Sequence, residues 1–369
     1  MLDRSASLVR SFAPPAVAVL CASMAWLALA CAPSSRDSTP AESPPEVSIP
    51  AATHDSAVEW ALAIHGGAGV MARDMPEVEK EAYLAALESA LALGRERLAA
   101  GEPALDVVEA VVRQLEDEPL FNAGKGAVFT AAGRNELDAA IMDGLSGDAG
   151  AVAGITSVKN PIRLARAVLE HSRHVFLVGE GAEVFAAEVG LETVEPSWFH
   201  TDRRWQQLEA ARERAAQRAD GSDAKDTSTV GAVALDRDGN LAAATSTGGL
   251  TNKRFGRVGD VPILGAGTWA DNATAAISCT GYGEQFIRHA VAHDVAARMA
   301  YGGAALQTAA DEVIHGVLDE GDGGLIAVSH RGEIALVFNS PGMYRGAADS
   351  SGRFEVAIWE ATVETPDDG

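Results

Sequence analysis

An α+β fold, with two antiparallel sheets stacked face to face between layers of helices, is predicted by three features of the sequence. Segments 230–247 and 325–338 read as strand, tight turn, strand, with Asp-Gly or Arg-Gly at the bend, the pattern of antiparallel hairpins. Apolar residues at helical spacing come in blocks, at 76–101, 105–118, 160–171, 285–302 and 305–320, without the regular strand–helix alternation of a parallel sheet. The strand-like runs are rich in alanine, glycine and valine, side chains small enough for close sheet-on-sheet packing. Together these features predict a four-layer αββα sandwich.

In chain order, residues 1–30 place Arg4 and Arg10 ahead of the apolar run AVAVLCASMAWLALA, too short for a membrane span and ending in small residues. This reads as an export signal, and LALAC resembles a bacterial lipoprotein processing site that leaves Cys31 lipidated at the cell envelope, in the periplasm or at the surface. The alternative is an unlipidated signal cut near Ala30. Residues 31–57 are a Pro/Ser linker that cannot bury itself and reads as a stalk. Of the three cysteines, Cys21 lies in the signal and Cys31 is the lipidation candidate, which leaves Cys279 without an intrachain partner. Stability must then come from the core, for which 369 residues at 47% hydrophobic are ample. The net charge of −23 excludes a nucleic-acid partner, because an acidic chain repels the phosphate backbone.

The folded part begins with a strand, EWALAIHGGAGV, closing in a glycine-rich turn. Pro76 in a first turn and Gly101 as a stop bound the first helix, and Asn160 with Pro161 opens the helix NPIRLARAVLEH. Between them, LDAAIMDG and GAVAGITSV are apolar runs, and VFLVG is a short strand. The charged stretch 211–228, containing RERAAQRADGSDAK, reads as a flexible tail that runs straight into the strand VGAVALD.

Thr229 stands at that junction. A β-branched residue opening a strand needs no special explanation. Here, however, the tail ends at it, Thr247 and Thr280 each precede a glycine, and Arg257 and Asp260 lie between them in GRVGD. Threonine is a weak nucleophile unless a base lies beside it. A chain cut before Thr229 would supply one, its own α-amino group, with an unperturbed pKa of about 7.7–8.0. Taken alone, Arg257 and Asp260 could be an ordinary loop ion pair contributing about 0–1 kcal/mol. Glycines around Thr280 could merely permit a turn.

The motifs TVGAVALD, TSTGGLTNKRFGRVGD, PILGAGTWADN, ISCTGYGE, GGLIAV and FNSPGMYRG, with IHGGAG, PLFNAGKGAVFT, ELDAAIMDG, AGAVAGI and NPIRLA upstream, resemble the plant-type asparaginase/isoaspartyl peptidase family of N-terminal-nucleophile (Ntn) hydrolases over about 59–349. The resemblance implies the αββα Ntn fold and autoproteolysis between Ser228 and Thr229. The products would be an alpha subunit, 58–228 in this chain, and a beta subunit, 229–369. It implies Thr229 as nucleophile, Thr247 as the residue that orients it, and Thr280 with the Gly281 N–H as the oxyanion hole. Arg257 would clamp the substrate α-carboxylate, Asp260 its α-ammonium, and Gly283 would let the backbone close over the aspartyl group. Asn122 resembles a residue supporting the nucleophile, whereas His65 is read as structural.

By the same resemblance, LEDEPLFNAGK is a loop that wraps a structural sodium ion with the backbone carbonyls of Leu115, Glu116, Glu118, Phe121, Ala123 and Lys125, oxygen donors that suit a hard cation. No cofactor is implied for catalysis. The implied substrates are L-asparagine and β-aspartyl dipeptides, and two αβ units are expected to associate. Membrane contact would come only through the lipid anchor. Ser228 departs from the glycine usual before the nucleophile, and slower maturation is expected from it. Two rival readings are a glycosylasparaginase, from which the lack of His-Asp before the threonine separates this chain, and an amino-acid-binding surface lipoprotein, for which three threonines would be superfluous.

Overall fold

The structure is a computed structural model that describes residues 58–69, 71–217 and 228–360. The predicted signal, Cys31, the linker up to residue 57 and the tail segment 218–227 lie outside the described residues. The first half of the described chain forms β1 (Ala61–Gly69), α1 (Glu77–Ala99), α2 (Ala104–Asp117), β2 (Leu137–Asp143), β3 (Ala149–Ile155), α3 (Pro161–His171), β4 (Phe176–Val178), α4 (Gly179–Glu188) and α5 (Asp202–Gln217). The second half forms β5 (Val230–Leu235), β6 (Leu241–Thr247), β7 (Thr268–Ala270), β8 (Ala275–Gly281), α6 (Gly283–His289), α7 (Val291–Gly302), α8 (Leu306–Gly316), β9 (Gly323–Ser329), β10 (Ile334–Phe338), β11 (Gly342–Asp349) and β12 (Phe354–Ala357).

Eight strands make one sheet, in the order β12-β11-β1-β5-β6-β2-β3-β4, and four make the other, β10-β9-β8-β7. Every pairing is antiparallel except β3 with β4 at the edge, where α3 supplies the crossover. Alternate residues of each strand serve different layers, as the two-residue period requires. Leu62, Ile64, Ala232 and Ala244 face α1, α2 and α3 in one core cluster. Their neighbours Ala61, Ala63, Val233 and Ala243 face the second sheet, where they meet Ala276, Ile326 and Val328. The other face of that sheet packs Ile277 and Leu325 against Phe286, Val291 and Val313 of α6, α7 and α8. The result is the expected αββα sandwich.

One expectation needs correcting: the flexible tail does not begin at residue 211, because residues 202–217 form α5. Its sequence, DRRWQQLEAARERAAQ, is made mostly of good helix formers, and a helix needs only a narrow buried stripe to dock. Arg204 supplies the anchor, with Nε donating to Gly126 O at 2.6 Å and Nη2 to Leu120 O at 3.2 Å. Trp205 packs edge-on against Phe129 at 5.2 Å between ring centroids. Among the described residues, no helix is long and apolar enough to cross a membrane.

The contact between β3 and α3 leaves no room for a side chain at Gly150, where a Cβ would lie 2.0 Å from the Ala165 carbonyl oxygen. Gly150→Ala is therefore expected to destabilise the fold by about 1–3 kcal/mol. Urea unfolding would show this as a lower midpoint at unchanged slope.

Candidate active site

Thr229 is the last residue before the β5 ladder begins, and only 6% of its surface is exposed. Its Oγ1 donates to Thr247 Oγ1 at 3.3 Å, and that hydroxyl donates in turn to the Ser228 carbonyl at 3.2 Å and accepts from Gly249 N at 3.0 Å. Thr247 ends β6, the hairpin partner of β5, so the hairpin turn sets this contact. Asn122 bonds through one Nδ2 to both Ser228 O and Gly249 O at 2.8 Å, while its Oδ1 accepts Val128 N at 2.9 Å. The carbonyl before Thr229 is thus held by two side-chain donors.

Thr229, Thr247, Arg257, Asp260 and Gly281 line one narrow cavity with Ser228, and it holds about 10 Å³ measured at the centre of a water molecule. That is room for about one water. Gly281, at the end of β8, has φ 152°, and a Cβ there would lie 2.1 Å from Asp322 O, so no other residue fits. Thr280 stands just behind this wall; its Oγ1 accepts Ala68 N of β1 at 3.1 Å, an acceptor role that leaves the hydroxyl proton for another bond. Gly283 backs onto both charged residues: a Cβ would come within 2.6 Å of Asp260 Oδ1 and 2.8 Å of Arg257 Nη2.

Two electrostatic details were not legible beforehand. Arg257 does not present a free fork, because Nε and Nη2 grip Glu284 at 3.0 and 2.9 Å. Glu284 follows Gly283 directly in GYGE, so the motif carried the signal, but nothing in its spacing identified the partner. Asp260 is buried, its Oδ2 has no hydrogen-bond partner, and burial raises its pKa to about 7 despite Arg257 nearby. Beneath the loop, Lys253 donates to Glu136 O at 2.8 Å and lies 4.0 Å from Asp138 Oδ2. Burial pushes the Lys253 ammonium down and the Asp138 carboxyl up.

His65 belongs to the structural surroundings, as expected, but it touches the nucleophile's own residue. Its Nδ1 lies 3.0 Å from Thr229 O and its Nε2 2.9 Å from Ser278 Oγ. A carbonyl can only accept, which puts the proton on Nδ1 and makes Nε2 the acceptor of the serine hydroxyl. Burial lowers its pKa to about 3, partly countered by the bond to Thr229 O, so the ring is neutral.

The proposed cation loop is a tight turn in which the carbonyl oxygens of Glu116 and Phe121 press on Gly124 and Gly126, at 2.3 and 2.1 Å from where a Cβ would sit. Leu115, Glu118 and Ala123 also accept backbone N–H bonds there. Backbone carbonyls are neutral oxygen donors, the ligand type that hard cations take. Glu116 turns its side chain away from the turn, taking Ser246 Oγ at 2.7 Å and Ile162 N at 3.0 Å, and burial raises its pKa to about 8.

Comparison with known proteins places this geometry in context. The asparaginase family profile matches residues 58–358. The chain is 53% identical over 292 residues to an isoaspartyl peptidase of Escherichia coli, covering 77% of this chain and 91% of the relative. It is 46% identical over 324 residues to a probable isoaspartyl peptidase/L-asparaginase of Arabidopsis thaliana, covering 82% and 99%. It is also 44% identical over 295 residues to a plant-type L-asparaginase of Pyrobaculum calidifontis, covering 77% and 95%.

The buried neutral His65 links stability to pH. Because its pKa falls on folding from 6.5 to about 3, the stability it contributes is complete above 6.5 and is lost as pH falls towards 3. The advantage of the parent over a His65→Gln variant should therefore shrink over that range. Urea midpoints of the two proteins measured across the acid range would check this.

Proposed function

The chain belongs to the asparaginase family, and from that premise we propose that it is a threonine hydrolase that releases L-aspartate from β-aspartyl dipeptides and from L-asparagine. The reading is supported by the names of the relatives, isoaspartyl peptidase and L-asparaginase. It is carried above all by the Ser228 carbonyl, held by Asn122 and Thr247 beside the Thr229 hydroxyl. The relatives' names do not favour a glycosylasparaginase or a pure binding protein.

In maturation, Thr229 Oγ attacks the Ser228 carbonyl carbon, the peptide C–N bond breaks as an ester forms, and water hydrolyses the ester. The two donors on Ser228 O stabilise the oxyanion of that step, and the α-amine of Thr229 is freed. In turnover this amine accepts the Oγ proton while Oγ attacks the substrate's side-chain carbonyl. Negative charge developing on the carbonyl oxygen is met by the Thr280 hydroxyl and the Gly281 N–H. The amine's proton passes to the departing ammonia or amino acid, and water then releases aspartate from Thr229. Nucleophile and base come from one residue, so no cofactor enters.

Asp260 would take the substrate α-ammonium. Since Glu284 holds Nε and Nη2 of Arg257, the α-carboxylate would meet Nη1, which leans towards Gly249 and Gly259. A sodium ion held by the carbonyls of 115–125 would stiffen the loop carrying Asn122. Segment 1–57 precedes the matched region, in keeping with an appended leader, an anchor at Cys31 and a tether. Association of two αβ units completes the proposal.

Mass analysis of the purified protein should find a chain beginning at Thr229. Thr229→Ala should remain uncleaved and inactive. Asn122→Ala, which removes one of the two donors, should mature about 100- to 1000-fold more slowly. Rapid, complete cleavage of Thr229→Ala would refute the assignment.

The raised pKa of Asp260, about 7, gives a second test. Only the ionised carboxylate attracts an ammonium group, so KM should fall as pH rises, by about tenfold per unit below that pKa. Asp260→Asn should raise KM and flatten its pH dependence, while the kcat limb set by the Thr229 amine remains. Steady-state kinetics on a β-aspartyl dipeptide from pH ~5.5 to ~8.5 would separate the two limbs.

A further inference from the structure

Directly inward of the three threonines lies a buried row of polar groups whose geometry the reaction scheme does not use. His65 of β1 pairs with Gly231 of β5, and Gly231 pairs with Thr245 of β6, so the three stand side by side across the large sheet. Gly231 has no side chain, and the gap is filled from the other sheet by Ser278 of β8. Ser278 Oγ lies 2.9 Å from His65 Nε2 and 2.8 Å from Thr245 Oγ1. A Cβ at Gly231 would lie 2.0 Å from Ser278 Oγ and 2.4 Å from His65 Nε2, so the glycine is the socket for this contact. Thr268 of β7, the ladder partner of Ser278, extends the row with Oγ1 2.7 Å from Thr245 Oγ1 and 3.0 Å from Val261 O.

The hydroxyl protons can be assigned in one direction. Nδ1–H of His65 is spent on Thr229 O, so Ser278 donates to Nε2 and must accept from Thr245, whose oxygen in turn takes the single Thr268 proton that Val261 O competes for. Every member is fully buried, and the contacts between side chains run from one sheet to the other.

Each end of the row lies next to a group in the reaction scheme. Gly231, Thr245 and Ser278 stand two residues from Thr229, Thr247 and Thr280, on the same faces of the same strands. Val261 follows Asp260. Thr229 itself lies just outside the β5 ladder, so its carbonyl takes a side-chain donor, His65, at a position that becomes a chain end once the preceding bond is cut. Fixing that carbonyl fixes the peptide plane between Thr229 and Val230. The amine is then left with rotation about Cα–C alone.

We propose that His65, Thr245, Ser278 and Thr268, seated over Gly231, form a positioning network that locks the nucleophile's peptide plane on one sheet to the oxyanion strand on the other. None of the four touches substrate. Their effect is to set the separation of Thr229 from Thr280 and Gly281, which a hydrogen-bonded row holds more tightly than apolar contact between the sheets would. The proposal rests on the function given above, in which attack and charge stabilisation come from different sheets.

The test uses the full chain after cleavage. Thr245→Val removes the hydroxyl at nearly constant volume, whereas Thr245→Ser keeps the hydroxyl and removes a methyl group. The network predicts that the valine variant loses about 10- to 100-fold in kcat with KM within about twofold, and that the serine variant keeps most of the parent rate. Ser278→Ala, which leaves His65 Nε2 without its donor, should reproduce the valine result and serves if that variant is not recovered folded. Rates are expressed per mole of chain beginning at Thr229, so that loss of folding is not counted as loss of rate. A parent that hydrolyses no β-aspartyl dipeptide overturns the function reading and the network with it. An active parent with the valine and alanine variants at the parent kcat, or a serine variant slower than the valine one, overturns the network alone.

Discussion

The close stacking of two sheets across small side chains is the constraint on which the site depends. Thr229 and Thr247 end up on one sheet and Thr280 with Gly281 on the other, so the site exists only because β5 and β6 lie directly against β8. Ala61, Ala63, Ala243 and Ala276 let the two sheets approach closely there, while Ile326, Val328, Phe338 and Met343 fill the rest of the shared layer. On the outer faces of the sheets, Leu62 and Ile64 meet Leu87 and Leu91 of α1, and Ile277 and Leu325 meet Phe286 of α6. The inner layer therefore contributes apolar burial and also sets the distance between the strands that carry the site.

The charges near the site are organised on the opposite principle, since burial makes each of them expensive. Asp260 and Asp138 are buried with one carboxylate oxygen each that takes no hydrogen bond, and Arg257, Lys253 and Glu284 are arranged around them. Such pairs add little net stability, because desolvation consumes what attraction returns. On the proposed function their presence is explained by recognition: a free amino-acid head group carries one cation and one anion, and fixed charges in a buried pocket discriminate strongly. The Arg257–Glu284 pair keeps the guanidinium in one orientation through Nε and Nη2, which leaves Nη1 outside the pair.

The layers, the helix limits near Pro161 and the two hairpins were legible because period and turn chemistry are local properties of the chain. α5 as a whole was not legible, and its last residues were read as tail, because its surface is polar on nearly every side; its docking depends on Arg204 reaching carbonyls of residues 120 and 126, a contact made in space. Among site residues, Thr229, Thr247, Arg257, Asp260 and Gly281 converge on one cavity, and Thr280, Gly283 and Asn122 support it. Glu284 was quoted in the motif yet unread, since nothing in one dimension shows that it faces Arg257. The row through His65 was equally hidden: it joins positions 65, 245, 268 and 278, which meet only once both sheets are paired and stacked.

Serine at 228 illustrates how a local departure is absorbed elsewhere. The side chain of Ser228, from which slower maturation is expected, donates through Oγ to Gly66 O at 3.0 Å in a space that β1 leaves open. That space exists because residue 67 is also a glycine: a Cβ there would fall 2.2 Å from Ser228 Oγ. The ladder of β1 is irregular between His65 and Gly67, which gives the strand freedom to make the pocket. Ser228 is thus held through its hydroxyl on one side and through its carbonyl on the other. On the proposed reading, the rate of chain cleavage is set by how firmly that carbonyl is presented to Thr229, and the serine contributes to holding it. On that reading, cutting the bond would take the Ser228 carbonyl from Thr247 and leave it Gly249 N and the Thr229 hydroxyl. The donor that first polarises the chain's own carbonyl would then have a single remaining task, orienting Thr229 for substrate.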